Sequence, residues 1–84
     1  MTTYNGYANK ATWMICLWLN NEPGTYEQAR AIVAVAESDY EAADELREYV
    51  WSLVGDVTTI TRDLVGVTIG QVDWKEVVDA FKEE

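Results

Sequence analysis

The chain has 84 residues, fifteen acidic and six basic side chains, a net charge of −9 and no histidine. A field of that sign repels nucleic acid and anionic lipid, and without histidine no Ser–His or Cys–His nucleophile pair can be built. With 49% hydrophobic residues, four Trp and five Tyr, the composition is that of one small folded domain over residues 1–84, with a core small enough to gain from self-association.

In chain order, "TTYNGYAN" is rich in turn formers, with Asn5-Gly6 the strongest signal. Asn9 is the expected N-cap of a first helix from Lys10 to Asn20, packed through Trp13, Met14, Leu17 and Trp18 and widened by Ile15 and Leu19. A buried strand competes, because short apolar runs fit both. The single cysteine, Cys16, lies in "WMICLWL"; it excludes a disulfide within the chain and reads as a buried hydrophobe in a reducing compartment. The run from Trp13 to Leu19 is too short for a membrane span, and "MTTYNGYANK" lacks the features of a signal peptide. The expectation is a cytoplasmic protein.

"NNEPGT" interrupts the helical pattern, and "TYEQ" predicts a capping box from Thr25 to Gln28 opening a second helix from Tyr26 to Glu37. Its "ARAIVAVA" is apolar on most sides. "SDYE" predicts another box, Ser38 with Glu41, and a third helix from Asp39 to Val54 stopped by Gly55. Its expected inner face is Ala43, Leu46, Val50, Leu53 and Val54. The segment "DVTTITRDLVGVTIGQ" alternates as strands do, through Val57, Thr59 and Thr61 or Val65, Val67 and Ile69, and its Val, Thr and Ile content favours a sheet. A helix starting near Thr59 or Thr61 is the rival, weakened by Gly66 and Gly70. Asp73 then caps a last helix reaching Lys82 and presenting Trp74, Val77, Val78 and Phe81. The predicted fold is all-α, a compact bundle of four to five short helices; the alternative is α+β with a small hairpin at 57–70.

The stretches "NGYANKATWMICLWLNNE" and "IGQVDWKEVVDAF" together resemble a family of small proteins carried by phages, plasmids and their bacterial or archaeal hosts. The matching positions are Asn5, Gly6, Tyr7, Asn9, Thr12, Trp13, Leu17, Trp18, Asn20, Asn21 and Glu22, then Val72, Asp73, Trp74 and Glu76. Lys10-Ala11 departs from the aromatic–acidic pair of that pattern, and "VGVTIG" replaces a more Ala-rich helix. The resemblance implies a compact helical domain with 57–71 helical rather than stranded, and it brings no catalytic residues. It also implies a mobile-element setting, in which small acidic proteins often inhibit restriction enzymes or CRISPR complexes. That functional step is analogy.

The densest acidic feature is the set Glu41, Asp44, Glu45 and Glu48, at offsets of three, four and seven along the third helix. The set spans about 10.5 Å of helix axis, or one charge per about 2.6 Å, against about 1.7 Å for duplex DNA and 3.4 Å for one strand. Tyr40 and Trp51 flank it as apolar anchors. The plain alternative is a solvated helix face; a calcium site is a third reading, with a spacing unlike an EF-hand loop. Tyr4, Tyr7, Trp13, Trp18, Tyr26 and Trp74 read first as core bulk, Asn5, Asn9, Asn20 and Asn21 as caps and turns, and Asp79, Glu83 and Glu84 as a solvated end. No catalytic, cofactor-binding or metal-binding residues are assigned. The function expected is inhibition of a host defence complex, most specifically a CRISPR effector subunit or another basic nucleic-acid-binding protein, whose surface the acids occlude. The rival is a regulatory or structural protein acting as a homodimer or larger homo-oligomer through its aromatic face.

Overall fold

The computed structural model describes residues 5–55 and 58–82. Five helices account for the fold: α1 (Lys10–Asn21), α2 (Pro23–Val35), α3 (Asp39–Val54), α4 (Thr59–Gln71) and α5 (Trp74–Lys82). Among the described residues there is no β-strand, so the fold is all-α as predicted. Tyr4, Val57, Glu83 and Glu84 lie outside the described residues.

Asn9 caps α1 as expected: its Oδ1 accepts the Thr12 amide at 2.9 Å, satisfying one free donor of the first turn. The buried stripe differs from the predicted one. Ala11, Thr12, Cys16 and Leu19 face inward, whereas Leu17 is 38% and Trp18 61% exposed. A helix apolar on nearly every side does not reveal its phase. What sets it here is size: Ala11, Thr12 and Cys16 are small, and they let α1 approach α2 and α5 closely. Asn20 is tied back to the helix, its Nδ2 donating to the Cys16 carbonyl.

The second helix starts earlier than predicted. Pro23 takes its first position, where the missing N–H costs nothing. Thr25 is therefore inside the helix and is not its cap; its hydroxyl is within hydrogen-bond distance of the Leu19 and Glu22 carbonyls, both at 3.1 Å. The helix ends at Val35 instead of Glu37, because the chain is extended at Ala36 and Ser38 on its way to the next cap. Only Ala29 is fully buried, with Ile32 and Val33 partly so, and Val35 is 76% exposed.

The bounds of α3 match the prediction. Ser38 Oγ accepts the Glu41 amide at 3.1 Å, and Gly55 follows at a φ of 69°, a conformation glycine adopts without a Cβ clash. The inner face is rotated from the expected one: Ala42, Leu46 and Val50 are buried, Ala43 and Val54 are partly buried, and Leu53 is 53% exposed. Length explains Leu53. α5 has nine residues, about 13.5 Å, and cannot cover the sixteen residues, about 24 Å, of α3.

The contested segment is helical. Thr58 caps α4, its Oγ1 accepting the Thr61 amide at 3.4 Å and lying 3.0 Å from the Thr61 hydroxyl. Val65 and Ile69, four apart, face the core, so helical spacing prevails over strand propensity. Gly66 lies under the Trp51 ring of α3, which a Cβ there would meet at 3.6 Å. Gly70 has open space where a Cβ would stand. Gly70→Ala is therefore expected to stabilise the protein by about 0.5–1 kcal/mol, read as a rise in thermal midpoint of a few degrees; an unchanged or lower midpoint would refute this.

The last helix forms as predicted. Asp73 Oδ1 accepts the Glu76 amide at 3.2 Å, and Val77, Val78 and Phe81 are buried. Here α5 packs on α1, α2 and α3 at once, with the Phe81 ring 6.0 Å from that of Tyr26. Of the other aromatics assigned to the core, Tyr7, Trp13, Tyr26 and Trp74 are half-buried. No helix among the described residues is long and apolar enough to cross a membrane.

Candidate functional site

The helical phase of α3 decides where its acids point. Leu46 and Val50 turn inward, so Glu41, Asp44, Glu45 and Glu48 all fall on exposed positions. Glu41 stands in the first turn, where the helix dipole favours a negative charge; Glu45 and Glu48 have no such support. Asp44 is paired with Arg47 at 3.1 Å. Among the described residues Glu41, Glu45 and Glu48 form no ion pair. The face therefore presents three uncompensated charges at intervals of about 6.0 and 4.5 Å along the helix axis, sparser than the one per about 3.4 Å of a single nucleic-acid strand.

Asp39 belongs to a different contact. It lies 3.0 Å from Lys82 and 3.7 Å from Lys75, tying the start of α3 to α5, and the Lys82 ammonium bonded to it holds its carboxyl below the usual range. Lys75 also reaches Asp79 at 3.5 Å, which compensates that tail acid.

The two flanking aromatics have different surroundings. Tyr40 is 87% exposed at the rim of a shallow depression of about 150 Å³ shared with Ala43, Asp44, Arg47 and Trp74. Trp51 is half-buried against α4, with the Arg62 guanidinium 5.4 Å from its ring. Tyr40 is thus available to a partner at the acidic face, while Trp51 is engaged within the fold. Among the described residues no three His, Cys, Asp or Glu side chains converge as metal ligands.

A second constellation joins the two ends of the chain. The Ala8 amide donates to Glu76 Oε1 at 2.9 Å. Asn9 Nδ2 donates to the Gln71 carbonyl at 2.7 Å. Thr12 Oγ1, in a fully buried residue, accepts the Asp73 amide at 2.8 Å and donates to Asn9 Oδ1 at 2.8 Å. The turn before α1 is thereby fastened to the α4–α5 connection. Sequence reasoning gave Asn9, Asp73 and Glu76 local capping roles and missed this clasp. One signal was present: the polar residues lay in the two stretches that carry the family resemblance.

Beside the clasp, the Tyr7 hydroxyl and the Cys16 thiol interact. Burial pushes the Cys16 thiol up to about 11; the Tyr7 hydrogen bond opposes that rise and the nearby Glu76 charge adds to it. Burial also raises the Tyr7 phenol, with Cys16 adding to the effect. Because the folded thiol titrates above the unfolded one, its contribution to stability is complete below pH 9 and is lost as pH rises toward 11. Native protein at pH 8 is expected to resist iodoacetamide and to react fully once unfolded in urea, as read by mass spectrometry. Rapid labelling of the native state would contradict the burial of Cys16.

No curated protein and no solved structure matches this chain. A family of unknown function (DUF7249) matches residues 1–84, and the chain belongs to that family.

Proposed function

We propose that this chain is a non-enzymatic protein inhibitor that occupies the nucleic-acid-binding surface of a basic partner, and in its most specific form an anti-CRISPR protein acting on an effector complex in the host cytoplasm. The observation that carries the reading is the outer face of α3, where Glu41, Glu45 and Glu48 stand exposed without a cation among the described residues. A Lys/Arg-lined groove built for phosphates finds on this helix a line of exposed negative charge. Opposite potentials would speed encounter, and Tyr40, exposed at the edge of the face, would slow release by filling a pocket on the partner. The choice of a defence complex as the partner is supported by the resemblance to proteins of phages and plasmids.

The test is displacement of a labelled guide or target oligonucleotide from a purified CRISPR effector complex, with native protein and with a variant carrying Glu41→Gln, Asp44→Asn, Glu45→Gln and Glu48→Gln. Displacement by the native chain alone is expected. Equal displacement by both would remove the acidic face from the mechanism, and none by either would remove this class of partner.

A further inference from the structure

The α4 helix is apolar on two sides. Its inner side lays Val65 and Ile69 against the core. Its outer side presents Ile60, Leu64 and Val67, spaced four and three apart and 69%, 65% and 61% exposed. That spacing makes one continuous stripe. Single exposed aliphatic residues are ordinary, but three in helical register beside an open apolar groove are a surface awaiting cover. The groove, about 350 Å³, runs inward from Leu64 between α1, α3 and α4, and Met14, Val50, Val54 and Ile69 line it.

Charge argues for what covers it. The whole chain carries −9, yet the charged residues of α4 are Arg62 and Asp63, which cancel, and the one charged residue of α1 is Lys10. α3 has five acids and one base. Two copies of the chain would repel strongly face to face at α3 and far less across α4, where Asp63 is the one acid. Arg62 is drawn aside over Trp51, and Asp63, three residues from Ile60 and four from Val67, stands at the edge of the stripe. The stripe is also nearly symmetric about Leu64. An antiparallel twofold pairing sets Leu64 on the partner's Leu64 and Ile60 on the partner's Val67, the self-complementarity that a twofold contact requires.

We propose that the outer face of α4 is the twofold interface of a homodimer. A patch on the order of 300–600 Å² from each copy gives about 600–1,200 Å² in all, at the low end for a specific interface. The dimer is therefore expected to be weak, with a dissociation constant on the order of micromolar. Added salt strengthens it by screening the repulsion between two −9 chains, the opposite of its effect on docking through the acidic face.

The experiment is sedimentation equilibrium of the full chain across the micromolar range at low and high salt. Native protein is expected to pass from one-chain to two-chain mass with concentration, and at lower concentration in high salt. The double variant Ile60→Glu/Val67→Glu, whose positions lie outside the groove lining, is expected to stay a monomer with unchanged helical circular dichroism. Val35→Glu, an equally exposed site on α2, is the control and should dimerise as the native chain does. A native chain that is monomeric throughout, or a folded double variant that still dimerises, overturns the proposal.

Discussion

Asn9→Ala is expected to destabilise the protein by about 2–3 kcal/mol and lower its thermal midpoint by roughly 10–20 °C. The side chain makes three hydrogen bonds: it accepts the Thr12 amide and the Thr12 hydroxyl, and it donates to the Gln71 carbonyl. Loss of an N-cap alone costs about 1 kcal/mol. The remainder comes from Gln71 and Thr12 losing a partner, reduced at Gln71 because that residue is exposed to water. A chain of this length has roughly 4–13 kcal/mol of stability in total, so the loss is a large share. Thr12→Val keeps the shape and removes the acceptor of the Asp73 amide in a fully buried residue, at an expected cost of about 1–3 kcal/mol. Because the two residues share a hydrogen bond, the double variant should lose less than the sum of the two single losses. Asn21→Ala, at the exposed end of α1, serves as the control and should stay within about 0.5 kcal/mol of the native chain. Urea denaturation measures all four. Strict additivity, or an Asn9→Ala variant as stable as the control, would show that the clasp does not hold the ends of the chain together.

The clasp also marks how far the sequence could be read. Features that depend on neighbours within a turn were legible: the caps at Asn9, Ser38 and Asp73, the bounds of α3, and the stop at Gly55. Features that depend on which of several apolar faces meets another element were not. α1 is apolar almost all round, so its pattern left the buried stripe undecided, and small residues turned out to form it. α4 carries the β-branched composition of a strand, and its helical state rests on a threonine cap and on Val65 and Ile69 meeting the core. The Ala8–Glu76 and Thr12–Asp73 bonds link residues more than sixty positions apart, beyond any local rule. The acidic face was legible because it needs only the phase of one helix. What the sequence left open there was compensation: Arg47 takes up Asp44, and Trp51 turns under α4.

Neutralising Glu41, Asp44, Glu45 and Glu48 on α3 should weaken binding to the proposed partner by roughly 4- to 900-fold while leaving the fold intact. Each exposed charge pair across an interface is worth about 0.2–1 kcal/mol, so four give about 0.8–4 kcal/mol. The same substitutions act on the free protein with the other sign. Four acid pairs, at offsets of three and four, each cost roughly 0.2–0.5 kcal/mol through repulsion, and that cost disappears. Against it stand the lost dipole interaction of Glu41 and the lost Asp44–Arg47 pair, together of about the same size. The thermal midpoint should therefore hold or rise slightly as binding falls, which separates loss of a contact from loss of a fold. Kinetics sharpen the test. Long-range attraction acts on approach, so the variant should bind more slowly, and native binding should slow as salt shrinks the Debye length from about 10 Å at 0.1 M to 3 Å at 1 M. Tyr40→Ala should instead speed release with little change in the rate of approach, because an aromatic side chain acts once it is seated. A partner that binds the neutralised variant at the native rate, with no dependence on salt, would assign recognition to another face and leave the charge of α3 to solubility alone.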